Sequence, residues 1–278
     1  MKSIRYDKIP VKINGDSILA SNFSLSQSAS VEPIYTLGRS GVHSVSPTGA
    51  RSYSLSFNYI PVFTLEEPNK GLGDMITLFI NNIKNNKNSS FSPFSVDVAG
   101  LTSDYAVLNS LNFSVAPYSL IQFSVSFSVL GEFTGELSPV NVDDSSEYLL
   151  NKSPNSIRKQ NDSNYTKFTA SPELEDSVMR SLSYSFNLNY EPVFKIGQEF
   201  PFQIMYQSAV EEASVEETKK ASLIDFRGDS SQFDLTLHTL DADYFLNIKM
   251  INPILVSEST AASSNDILSS SKILRSFY

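Results

Sequence analysis

The residues of this 278-residue chain with the most chemical potential are paired carboxylates and two isolated imidazoles. Acidic pairs stand at Glu66-Glu67, Asp143-Asp144, Glu211-Glu212 and Glu216-Glu217. A glycosidase needs two carboxylates a few ångströms apart across a cleft. Adjacent acids in polar segments read more simply as solvated surface, and the spacing of an EF-hand calcium loop is absent. His43 lies in a Gly/Ser/Pro-rich loop, and His238 in a strand-like run beside Leu237. Two histidines leave few options for a Ser-His-Asp triad. No cysteine is present to form a disulfide or a thiolate metal site. Gly-x-Ser-x-Gly, His-Glu-x-x-His, P-loop and Gly-x-Gly-x-x-Gly motifs are all missing. The expectation is a protein that is not an enzyme and carries no cofactor or metal.

The charge balance narrows the partners. Lys and Arg number 21 against 30 Asp and Glu, a formal net charge of -9. Such a chain offers no general electrostatic footprint for a phosphate backbone, so specific nucleic-acid binding is not expected. No run of 18 apolar residues exists and the N-terminus lacks an apolar h-region, so neither a membrane anchor nor a signal peptide is expected. Folding in a cytoplasm follows. The 41% hydrophobic content is enough to fill a core.

The elements that must position these residues are strands. Apolar and polar residues alternate through Ser52–Tyr59, Ile121–Val129 and Ser181–Tyr190, with shorter examples at Phe23/Leu25, Leu111/Phe113/Val115 and Phe233/Leu235/Leu237. Period-2 alternation gives each strand one oily face and one hydroxyl face, the pattern of antiparallel sheets. It also accounts for many of the 48 serines. Asn14-Gly15, set between short apolar runs, predicts a type I′ hairpin. Pro47-Thr48-Gly49 predicts a turn. One clear helix is expected over Asp74–Lys87, where Ile76, Phe79, Ile80 and Ile83 share a face. Shorter helices are expected at Pro172–Met179 and, as a solvated element, at Ala209–Ala221.

The polar stretch 134–171 lacks sustained alternation and reads as a linker or surface excursion. The expected organisation is all-β with minor α: two tandem antiparallel β-sandwich or barrel domains, residues 1–139 and 172–278, joined by 140–171. The halves read as related copies. Glu32-Pro33-Ile34-Tyr35-Thr36-Leu37-Gly38 matches Glu191-Pro192-Val193-Phe194-Lys195-Ile196-Gly197 at an offset of 159. Tyr53–Phe57 matches Phe233–Leu237 at an offset of 180, which would make the acidic segment Gln207–Asp229 an insertion. Alternating Ser-rich strands also resemble one another by composition alone. The Glu-Pro block goes further, because it holds six positions in phase.

Three features in order resemble tailed-phage virion proteins: a Ser-alternating strand entering Glu32–Gly38, the turn Val45–Arg51, and the strand Ser52–Tyr59. They are most similar to the β-sandwich modules of tail-tube, baseplate-hub and neck proteins, over residues 18–130 and more weakly over 181–250. The resemblance implies a homo-oligomeric ring within the virion, assembled in the host cytoplasm with other virion proteins. It implies a hairpin or loop that docks one ring on the next, and, for a tandem chain, three copies imitating a six-fold ring. It assigns 74–87 to a flanking helix and loops 39–51 and 198–229 to neighbour contacts, with Arg39, His43, Pro47, Arg51, Glu211 and Glu216 at the assembly interface. Two other roles remain open: a capsid decoration or fibre-attachment protein, and a carbohydrate-binding β-sandwich relying on Glu66, Glu191 or Asp229. The absence of Trp weighs against the last.

Overall fold

A computed structural model describes residues 11–18, 20–28, 31–38, 40–47, 52–59, 75–85, 92–116, 122–136, 167–171, 177–198, 200–219, 232–238, 245–261 and 269–278. The first strands are β1 (Val11–Ile13), β2 (Asp16–Ile18), β3 (Ala20–Ser28), β4 (Val31–Ile34), β5 (Ser44–Pro47) and β6 (Ser52–Tyr59). Helix α1 (Met75–Asn85) precedes β7 (Phe94–Val98), β8 (Leu101–Val115) and β9 (Phe123–Val129). Then come β10 (Lys167–Ser171), β11 (Ser177–Val193), β12 (Gln203–Lys219) and β13 (Gln232–His238). The last strands are β14 (Phe245–Ile251), β15 (Ile254–Ala261) and β16 (Ser269–Phe277). Among the described residues the fold is all-β with one helix, as the alternation requires.

Expected local elements appear where their chemistry places them. Asn14 and Gly15 adopt φ 51 and 90 between the paired residues Ile13 and Asp16, closing the β1–β2 hairpin. Helix α1 buries Ile76, Ile80 and Ile83, and Phe79 meets Phe94 edge-on at 4.4 Å. Two expectations are corrected. Residues 209–219 are strand, not helix, and form the long arm of β12. Of Pro172–Met179, residues 177–179 open β11, and 172–176 lie outside the described residues. The turn at 48–49 and the linker 140–166 also lie outside them.

Eight antiparallel strands run side by side in the order β3-β6-β9-β8-β11-β12-β16-β15. Strand β8 is the seam: Ser110–Phe113 pair with β9 on one edge and with β11 on the other. Its first residues pair with β7, which leads to β1 and β2. Thus strands on both sides of the expected boundary share one sheet. Their inward side chains join one hydrophobic cluster, from Leu55, Phe57 and Phe127 to Phe113, Tyr184 and Phe186. Each large apolar side chain fully buried there contributes about 1.5–3 kcal/mol.

The order contains a regularity. β3-β6-β9-β8 and β11-β12-β16-β15 are each a hairpin, then the last strand, then the strand before it. Inward pairs coincide across the two sets. Tyr53↔Val129, Leu55↔Phe127, Phe57↔Val125 and Tyr59↔Phe123 occupy the places of Glu211↔Ser276, Ala213↔Leu274, Val215↔Lys272 and Glu217↔Ser270. The counterpart of β6 is therefore β12, not β13. The match at offset 180 is corrected, and so is the insertion it required: Gln207–Lys219 is strand.

Candidate assembly surfaces and the buried polar layer

Two hairpin tips rise from the sheet. In the first, β4 pairs with β5, and the His43 N–H donates to the Ile34 carbonyl at 2.8 Å. In the second, the Phe202 N–H donates to the Val193 carbonyl at 2.8 Å. Donor and acceptor are both shifted by 159 residues. Gly38 and Gly197 adopt φ 85 and 83, left-handed values that glycine reaches without strain. Beside them Leu37 and Ile196 are fully exposed. At the second tip the Lys195 ammonium lies 3.3 Å from the centroid of the Phe202 ring.

The sheet ends in two open edges. Among the described residues β3 pairs only with β6, and β15 only with β16. Ile254 and Val256 are exposed on β15, and Ser24, Ser26 and Ser28 on β3. Exposed edges are templates for pairing with another chain.

Beneath β12 lies a buried polar layer. Glu211 is fully buried and accepts from Lys84 Nζ, from the Tyr184 hydroxyl and, at 2.5 Å, from the Tyr278 hydroxyl. Lys84 Nζ also donates to the Lys249 carbonyl at 3.0 Å, and the Ile251 N–H donates to the Tyr278 hydroxyl at 2.9 Å. The cluster thus ties α1 to β11, β12, β14 and the C-terminal residue. Burial pulls the Lys84 ammonium below the usual lysine range, against the opposing pull of Glu211. Burial pushes the Tyr184 phenol well above the usual tyrosine range, and the Glu211 carboxylate adds to the shift. Tyr278 is raised for the same reasons, in the same order. A second buried pair, Lys272 and Glu217, stands at 2.6 Å. These ions sit under the sheet as internal ties, without an open cleft at them among the described residues.

The sheet's outer face is lined by Ser and Asn. Across the β8–β11 seam it holds an open depression of about 420 Å³, lined by Asn112, Ser124, Ser183, Ser185 and Glu212 among others. Glu212 is engaged by Arg275, whose Nε and Nη2 both reach Oε2, at 3.0 and 2.5 Å. No group of three His, Cys, Asp or Glu side chains poised for a metal occurs among the described residues.

The expected interface residues scatter. His43 is exposed on the first tip, and Pro47 closes β5 opposite Val31. Glu216 is exposed on β12 and accepts from Ser181 Oγ at 2.8 Å. Glu211 is a correction: it points into the core, because inward residues on β12 alternate through 209, 211, 213, 215 and 217. Arg39 and Arg51 lie outside the described residues, as do Glu66 and Asp229, while the exposed Glu191 accepts from Gln207 Nε2 at 3.0 Å. Sequence reasoning missed Leu37, Ile196 and the β15 edge. Their signal was present for the tips, in an aliphatic residue before glycine in both Glu-Pro blocks.

No protein-family model matches the chain, and no characterised protein matches it in sequence. Among the described residues no helix is long and apolar enough to cross a membrane.

Proposed function

We propose that this protein is a non-enzymatic structural component of a tailed-phage particle, in the tail tube, baseplate hub or neck, and that it assembles laterally into a ring. The halves are then two copies of one four-stranded unit joined head to tail. One observation carries this reading: the joint inside the chain uses edges whose counterparts at its two ends have no further strand beside them among the described residues. Strand β8 pairs with β11, and their counterparts are β15 and β3. Because the join is head to tail, repeating it generates a ring or a helix rather than a closed pair.

The register follows from the equivalences. Ser110–Phe113 pair with Asn187–Tyr184 inside the chain. Carried through the β9 and β16 pairings, Ser110–Phe113 correspond to Ser257–Thr260 of β15. Tyr184–Asn187 correspond to Leu25–Ser28 of β3. Leu25 of one copy would face Thr260 of the next, and Ser28 would face Ser257. The resemblance of residues 18–130 to tail-tube modules supports a particle of that kind, and the acidic balance suits a conduit that nucleic acid passes without sticking.

Light scattering after size exclusion, with negative-stain imaging, tests the ring. Ser259→Pro and Thr260→Pro sharpen it. Successive N–H groups point to opposite edges, so one of the two spares the β15–β16 ladder while removing a donor from the free edge. That variant should reduce the assembly to monomers. A wild-type chain that stays monomeric at high concentration, alone and with its particle partners, would overturn the reading.

A further inference from the structure

The internal seam and the two end strands differ at one inward position. Inside the chain Leu111 of β8 stands opposite Phe186 of β11, and both are fully buried. Leu111 pairs with Val125 of β9, whose counterpart on β16 is Lys272, and Lys272 pairs with Glu258 of β15. Phe186 pairs with Glu211 of β12, whose counterpart on β6 is Tyr53, and Tyr53 pairs with Gln27 of β3. Glu258 and Gln27 therefore hold the places of Leu111 and Phe186, and both are exposed. An irregularity in the ladders supports the equivalence: β8 is bulged between Leu108 and Ser110, and β15 between the matching residues Leu255 and Ser257.

Glu258 shares the inner face with a buried ion pair. Lys272 Nζ lies 2.6 Å from Glu217 Oε1, with both side chains buried. Glu258 stands opposite Lys272, and its Oε1 accepts from Ser270 Oγ at 3.4 Å. One ammonium thus faces two carboxylates, which leaves the group with excess negative charge. In a separate chain Glu258 keeps its water, and that excess costs little. A strand laid along β15 covers it. Strand β3 of the next copy brings no cation to balance it, because Ala20–Ser28 contains no charged residue. Charge facing inward on an edge strand opposes edge pairing, since closing the joint desolvates it.

We propose that Glu258 is a proton-operated gate on lateral assembly: ionised, it holds the β15 edge open, and protonated, it lets β15 pair with β3 of the next copy. The gate rests on the ring reading above and adds its regulation. The neutral carboxyl meets a matching group at the closed joint, where Gln27 falls directly opposite. Its O–H donates to Gln27 Oε1 while its other oxygen accepts from Gln27 Nε2. The remaining ionisable groups on that face are Lys272 and Glu217, which balance each other, and Tyr53 of the next copy behind Gln27, which brings a phenol rather than a charge. Glu212 and Arg275 lie on the other face of the sheet. Closing the joint raises the affinity of the carboxyl for its proton, so assembly takes one up. Association is strongest below the free glutamate value of about 4.3. It weakens as pH rises, by up to about tenfold per unit at each joint, until the raised value in the closed joint is passed.

Sedimentation equilibrium on the full chain, from about pH 8 to about pH 5 at fixed salt, tests the gate. Wild type should associate more tightly toward acid. Glu258→Gln keeps the shape of an exposed side chain, so the fold should be intact. At pH 8 it should associate at least ~10-fold more tightly than wild type, with a shallower dependence on pH. Acidification lowers the overall negative charge of both proteins alike, so the difference in slope is the readout. Gln27→Glu sets a second carboxylate across the joint and should weaken association at pH 8 at least ~10-fold. Glu258→Leu with Gln27→Leu imports the chemistry of the seam and should associate at every pH. Glu258→Gln with the affinity and slope of wild type would overturn the gate and leave the ring standing. So would pH-dependent association that survives the edge-blocking proline, because it would lie on another surface. Wild type and the double leucine variant both monomeric at every pH would overturn ring and gate together.

Discussion

The inner layers beneath β6 and β12 have the same strand pairing and opposite chemistry. On β6 and β9 the inward row is Tyr53, Leu55, Phe57, Tyr59 against Val129, Phe127, Val125, Phe123. On β12 and β16 it is Glu211, Ala213, Val215, Glu217 against Ser276, Leu274, Lys272, Ser270. The first row packs by ring contacts, with Phe57 stacked on Phe127 at 6.0 Å and Tyr59 edge-on to Phe123 at 5.5 Å. The second relies on Lys272–Glu217 and on Lys84 and the tyrosines around Glu211. Backbone pairing is thus indifferent to whether the layer beneath is oil or ions, provided every buried charge has its partner.

The widest test of that contrast removes one ion. Lys272→Ala takes the ammonium at 2.6 Å away from the buried Glu217 and should cost about 4 kcal/mol, the range for breaking a buried pair. Glu217→Leu with Lys272→Leu imports the chemistry of the other layer. It should restore stability to within about 1 kcal/mol of wild type in urea denaturation, because an apolar pair of similar volume needs no charge partner. Collapse of the double variant would show that the second layer depends on ions in a way the first does not.

Lys84→Met is a milder break. Glu211 keeps both tyrosine donors, so the loss should be about 2 kcal/mol, near the value of one charged hydrogen bond. The midpoint in urea reads it directly.

The tyrosines give a pH signature confined to the polar layer. Tyr184 and Tyr278 are raised above the unfolded value near 10. The stability tied to their protonated hydroxyls is therefore complete below about pH 10 and is lost as pH climbs above it, where the unfolded chain ionises first. Lys84, shifted down, works in the opposite sense below its unfolded value of 10.5. Absorbance at 295 nm should show these two phenols ionising only with unfolding. Tyr184→Phe should remove part of the alkaline loss.

The smallest effect probes the two tips. Gly38→Ala and Gly197→Ala meet no neighbour within 4 Å, so each pays only for a positive φ, about 1 kcal/mol. Equal losses in thermal melts are expected; unequal ones would separate the tips.

The same contrast explains what the sequence disclosed. Where the inner layer is oil, alternation was legible: Ser52–Tyr59 is β6 residue for residue, and α1 falls inside its expected span. Where the layer is ionic the pattern vanished. In Ala209–Glu217 inward residues are Ala, Glu, Ala, Val and Glu, and outward residues include Glu212 and Glu216. Charge on both faces hid the period of two and made a strand read as a solvated helix. Glu211 was placed on a surface for the same reason, since its partner Lys84 lies 127 positions away and no local spacing announces it. The tips were legible as a repeated block, but not as protrusions, because exposure of Leu37 or Ile196 is set by what fails to cover them.

The seam at β8 has a consequence for how the protein is made. Ser110–Val115 emerge from the ribosome long before Leu182–Asn187, the residues that close their second edge. At ~5–20 residues per second, the intervening stretch of about 70 residues takes roughly 4–14 s to synthesise. Through that interval the nascent chain carries an unsealed strand in a polysome crowded with identical strands. Synthesis is then the stage at which mispairing between neighbouring chains competes with folding. The uncharged serines and asparagines along Ser110–Ser114 give that edge no electrostatic defence.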